Sequence, residues 1–127
     1  MVGFKAIRTD HAAKAVGPYS QAIDAGDYVF VSGQAGIDPA TGKAPEGIEA
    51  QAEQAFKNVA AILEVGGCNW ADVVKVTLWL TKPEHFDVVN EIYARFIGDP
   101  APARSAPIVA AMPKGFLMAV EAIAKKP

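Results

Sequence analysis

Several features that would narrow the interpretation at once are scarce in this chain. It has one cysteine, Cys68, in 127 residues. A lone thiol excludes an intramolecular disulfide framework and leaves too few soft ligands for a structural zinc site, so nothing points to an oxidising compartment. The two histidines, His11 and His85, lie far apart and outside any spaced set of His or carboxylate ligands. No metal is therefore expected, and both are expected at the surface. No apolar run approaches the roughly 18 to 20 residues that span a bilayer, and the first seven residues, broken by Lys5, lack the apolar core of a secretory signal, so the expected address is the cytoplasm. There is no basic excess either: the formal net charge is −2 and the pI about 5.6. That disfavours nucleic acid, whose binders depend on a positive field.

What is present is a burial-prone composition, 51% apolar with 20% charged residues. A chain of this kind folds, and at this length one core takes up all of it, so residues 1–127 are expected to form a single domain. Repeats and low-complexity tracts are absent, and no linker separates the periodic segments.

Residues 18 to 35 read as two short strands meeting at Gly26-Asp27, the second carrying the β-prone run Tyr28-Val29-Phe30-Val31. After the turn-rich Asp38-Pro39-Ala40-Thr41-Gly42, the apolar positions Ile48, Ala52, Ala55, Phe56, Val59, Ile62 and Leu63 recur at helical spacing. They predict a helix over 48–65 that stops at Gly66-Gly67. Alternation of Val74, Val76, Leu78 and Leu80 with Lys75, Thr77, Trp79 and Thr81 predicts a strand over 72–81. Phe86, Val89, Tyr93 and Phe96 predict a core-facing second helix over 84–97, entered at Pro83. Two last strands, 103–111 and 116–124, flank Met112-Pro113-Lys114-Gly115 as a hairpin, and Lys125-Lys126 reads as a solvated tail. The order β-β-α-β-α-β-β implies an α+β domain with two helices on one face of a mixed sheet. The other face, carrying Trp79 and one row of the last strand, is too apolar to leave in water and calls for self-association.

The last hairpin holds the chemistry. Arg104 and Glu121 are ionisable residues in strands that otherwise read as buried, so each needs a partner or a purpose. With a four-residue loop, Ala106 faces Glu121 and Arg104 is its diagonal neighbour. The simplest reading is a cross-strand ion pair. The functional alternative is a guanidinium clamp for a carboxylate beside a glutamate that orients or deprotonates water, a combination suited to hydrolysis of a small organic acid. Ser20, Ser32 and Ser105 lack a nucleophile-elbow pattern and a poised histidine, which argues against serine hydrolysis.

Gly17-Pro18-Tyr19-Ser20-Gln21, Val31-Ser32-Gly33-Gln34, Val88-Val89-Asn90, and Pro102-Ala103-Arg104-Ser105 followed by Val120-Glu121-Ala122 resemble, in sequence and order, the RidA/YjgF imine deaminases, also called endoribonuclease L-PSP. The resemblance runs along essentially the whole chain. It implies a chorismate-mutase-like α+β fold, a homotrimer with a central β-barrel and clefts between subunits, and cofactor-free hydrolysis of 2-imino acids such as 2-aminoacrylate or 2-iminobutyrate to 2-keto acids and ammonia. By the same resemblance Arg104 would clamp the carboxylate with the Gly33 backbone N–H. Glu121 and the backbone carbonyl of Ala106 would position water, and Tyr19, Ser32 and Asn90 would line the cleft. Many relatives carry Cys where this chain has Ala106, followed by Pro107, an unusual residue in a strand; thiol chemistry at that position is absent, while the main-chain carbonyl is retained. The short Gly98 to Pro102 connection bears on substrate range. RNA cleavage or translation inhibition, and a non-catalytic ligand-binding or chaperone-like trimer, are the competing functions.

Overall fold

The 18-residue helix α1, Ile48–Val65, begins and ends where its apolar period does. Its end is a Schellman turn: the Cys68 N–H donates to the Leu63 carbonyl and the Gly67 N–H to the Glu64 carbonyl, with Gly67 at φ 78°. That left-handed geometry is why the stop is a glycine. These details come from a computed structural model that describes residues 3–127.

The strands are β1, Lys5–Ile7; β2, Ala22–Asp24; β3, Tyr28–Ala35; β4, Val73–Leu80; β5, Ala103–Ser105; and β6, Met118–Lys125. They form one sheet in the order β1-β2-β3-β6-β4-β5, antiparallel except for the parallel β4–β5 pair. Helix α1 and a shorter helix α2, Phe86–Tyr93, cover one face. This is the expected α+β arrangement of a mixed sheet with two helices on one side. β1 has no counterpart in the sequence pattern; three residues are too few to show a period.

Between α1, α2 and the sheet sits an aromatic knot. The Phe56 ring lies 5.9 Å from Trp70, 5.8 Å from Tyr93 and 5.4 Å from Phe96. The Trp70 indole N–H donates to the Phe56 carbonyl. Asn58, fully buried, bonds the carbonyls of Ala35 and Ile37 and accepts from Gln54, tying α1 to the end of β3. Gly36 lets α1 approach that closely: a Cβ there would collide with the backbone of Gln51.

The structure corrects several expectations. Residues 103–111 and 116–124 do not form a hairpin. β5 is an edge strand beside β4, the chain continues along β4 through Leu80 N–H to the Pro107 carbonyl and Val109 N–H to the Leu80 carbonyl, and β6 inserts between β3 and β4. Proline is the reason: Pro107 has no N–H to offer a second neighbour and so fits only an edge, whereas the proline-free β6 pairs on both sides. The second helix is also shorter than its apolar pattern, because Pro83–His85 is a 3₁₀ turn and regular α-helix ends at Tyr93. Phe86 is 37% exposed instead of in the core. A bulge between Val73 and Lys75 turns Val74 outward and Val73 inward. His11 is exposed as expected, but His85 is half-buried, with an Nδ1 that has no partner among the described residues. Lys126 is no free tail: its ammonium lies 2.7 Å from Asp24 Oδ2.

Candidate active site

Cross-strand register places the candidate residues on faces. Arg104 pairs with Val76, and Val76 with Ala122. Directly paired residues share a side of the sheet, and Val76 and Ala122 are buried under the helices, so Arg104 points to the helix side. Ser105 pairs with Thr77, and Thr77 with Glu121, which puts Glu121 on the helix-free face. The expected Arg104–Glu121 adjacency is therefore overturned: β4 separates them and they face opposite ways. Among the described residues neither forms an ion pair.

On the helix side, Arg104 Nη1 donates to Asn90 Oδ1 in α2. The guanidinium carbon lies 5.5 Å from the Phe86 ring centroid and 5.1 Å from that of Tyr93. Both distances fall within cation–π range. Burial pushes the Tyr93 phenol's pKa up, partly offset by the Arg104 charge. Ala106 lies just beyond β5, packed against the core. Thus Arg104, Asn90 and Ala106 form one group at the rim of the sheet.

The other group is on the helix-free face. Register runs from Val31–Ala122 to Gln34–Val120, so Ser32 and Gly33 together stand opposite Glu121 in a bulge. Such bulges re-aim backbone groups and side chains. The Ser32 hydroxyl donates to the Ser20 carbonyl at 2.6 Å and its N–H to the Gln21 carbonyl at 2.9 Å. The bulge is thereby locked to the segment bearing Tyr19. Tyr19 and Gly33 line a groove of about 1080 Å³ walled by residues 42–47 and 113–117, which Ser32 and Glu121 do not line. Its wall includes Lys114, in left-handed backbone at φ 56°.

Three side chains contribute in ways that the sequence reading did not assign. Gln21 is buried and bonds Thr9 N–H at 2.7 Å and the carbonyls of Thr9 and Ala13, so it shapes the loop before Tyr19. Phe86 and Tyr93 read as plain core in the sequence, although their spacing with Asn90, four and then three residues apart, marks one helix face. Among the described residues no three His, Cys, Asp or Glu side chains converge as metal ligands, and no helix is long and apolar enough to cross a membrane.

A family model described as Endoribonuclease L-PSP matches residues 9–126. The chain belongs to that family. A RutC family protein of Pyrococcus horikoshii is 46% identical over 94% of this chain and 96% of its own length. The 2-iminobutanoate/2-iminopropanoate deaminase of Mus musculus is 44% identical over 94% of this chain and 90% of its own. Among solved structures, RidA from the Antarctic bacterium Psychrobacter sp. superposes with a TM-score of 0.93 at 46% identity, covering 95% of this chain and 98% of that one. The RidA/YjgF resemblance of the motifs thus extends to the whole endoribonuclease L-PSP fold.

Proposed function

We propose that this protein is a cytoplasmic 2-imino acid deaminase, hydrolysing small 2-imino acids to 2-keto acids and ammonia without a cofactor, at sites completed between subunits of a homotrimer. The observation that carries the reading is the 44% identity, over 94% of the chain, to a relative named for that reaction. The geometry supports it: the carboxylate clamp and the acid–base group, each without an ionic partner among the described residues, lie on opposite faces of one chain. A second copy is what brings such halves together, the edge-strand Arg104 of one subunit meeting the Glu121, Ser32, Gly33 and Tyr19 of the next. The helix-free face, with Phe30 45% and Tyr28 39% exposed, gives that copy apolar area to bury.

In this reading the Arg104 guanidinium and the Gly33 N–H hold the substrate carboxylate, leaving the adjacent C=N carbon open to water. Protonation of the imine nitrogen makes that carbon electrophilic. Water, oriented by Glu121 and the Ala106 carbonyl, adds to give a carbinolamine. Glu121 takes a proton from the water and returns it to nitrogen, then accepts the hydroxyl proton as collapse to the C=O expels ammonia. General acid–base help of this kind contributes about 10²- to 10⁴-fold.

The family's other name favours a second reading, RNA cleavage, but the net charge of −2 provides no field to collect a polyanion. The test is to generate 2-iminobutyrate or 2-iminopropionate with an amino-acid oxidase, trap free imine with semicarbazide, and follow keto-acid release. The protein should speed release and Arg104→Ala should not. No acceleration by wild type on either imine would defeat the deaminase reading.

A further inference from the structure

Arginine carries five N–H donors in a rigid planar fork and can present either of two edges to a carboxylate, Nη1 with Nη2 or Nε with Nη2. A free arginine at a strand edge has no reason to prefer one edge, and ordering its long side chain costs entropy on binding. Here one donor is already used and the plane of the fork is set. Nη1 is bonded to Asn90 Oδ1, and the guanidinium lies against the rings of Phe86 and Tyr93. Residues 86, 90 and 93 are four and then three apart, so one stripe of α2 makes all three contacts.

We propose that Phe86, Asn90 and Tyr93 are positioning residues for Arg104, holding one N–H of Nη1 and fixing the plane in which the remaining donors of the fork meet the carboxylate of a 2-imino or 2-keto acid. The inference rests on the reading of Arg104 as the carboxylate clamp, and moves Asn90 from lining the cleft to holding the clamp. The neutrality of Asn90 is essential to it. An acid at that place would neutralise Arg104 and compete with the substrate; α2 does carry Asp87 and Glu91, yet among the described residues neither forms an ion pair with Arg104. The grip also accounts for Phe86, a large apolar side chain 37% exposed. From Tyr93 only the ring is required, since its buried hydroxyl has no partner among the described residues.

Two readouts test the proposal on the full chain. In ¹⁵N NMR, the Arg104 Nε–Hε signal should be displaced by the two rings and its Cζ–Nη rotation slowed. Tyr93→Phe should retain both effects, whereas Asn90→Ala should lose the slowed rotation and Tyr93→Leu the displacement. Phe86→Leu, at an exposed position, repeats the ring test should Tyr93→Leu fail to fold. In the imine assay, Asn90→Ala should raise KM about tenfold with kcat changed far less, the signature of a lost charge-assisted bond in ground and transition states alike. In an Arg104→Lys background, where no fork remains to hold, the same change should matter by less than about twofold. A freely rotating, undisplaced Arg104 in wild type, or an Asn90→Ala effect undiminished in the Arg104→Lys background, would overturn the proposal. A wild type with the NMR signature but no imine turnover would sustain the grip and defeat the deaminase reading instead.

Discussion

Arg104 and Glu121 lie one strand apart in the same sheet, but Arg104 projects beneath the helices and Glu121 from the helix-free face. Side chains on opposite sides of a sheet cannot embrace one small ligand within a subunit, so the proposed chemistry requires a neighbour.

Subunit mixing puts a number on that requirement. In the proposed homotrimer, assemblies re-formed from equal amounts of Arg104→Ala and Glu121→Gln chains should recover about a quarter of wild-type turnover, because in a closed ring a random ordered neighbour pair holds both intact residues one time in four. Each variant alone should be inactive. No recovery, with mixed trimers demonstrated by mass, would place both groups in one subunit's site.

Within the site, Glu121→Gln should bind 2-ketobutyrate within about threefold of wild type while kcat falls about 10²- to 10⁴-fold. Arg104→Ala should lose binding and turnover together, having lost the charge-assisted clamp. Calorimetric titration with 2-ketobutyrate beside the imine assay distinguishes the two outcomes.

The Tyr93 hydroxyl is buried with no partner among the described residues. Removing a buried, unsatisfied polar group relieves a desolvation cost, so Tyr93→Phe should stabilise by about 1 kcal/mol. Thermal melting should show a rise of a few degrees.

Asn58→Ala should do the opposite. It strips the Ala35 and Ile37 carbonyls and Gln54 of their partner in a fully buried position, at a cost of about 2 to 3 kcal/mol. Urea unfolding should show the midpoint fall with the slope unchanged.

Acid stability should depend on Asp24. The Lys126 ammonium, and then the Gly26 N–H, hold its carboxyl below the ordinary carboxylate value. A pKa depressed in the folded state means the contribution is complete above the unfolded value and is lost as pH falls through the folded one. Asp24→Asn should therefore flatten the acid limb of the Tm–pH curve and change little of its slope near neutrality.

Sequence by itself determined the elements whose order is local. α1 was legible to the residue because its apolar period is unbroken and its glycine stop needs only neighbours along the chain. Most of β4 was legible from alternation, the motif residues from their spacing, and the first half of β3 from its β-prone run, although the strand continues through the expected stop at Ser32-Gly33 to Ala35. Tertiary structure decided the rest. Which strand lies beside which is a matter of pairing between segments far apart, so β6 slipping between β3 and β4 left no trace in local periodicity, although Pro107 in a would-be inner strand was a signal against the hairpin. The bulges at Val74 and at Ser32-Gly33 each shift a face by one residue, which no period of two can encode. Arg104 and Glu121 could be named from the sequence, but their faces could not, because a side chain's direction is fixed by its strand's register against neighbours that only the folded sheet supplies.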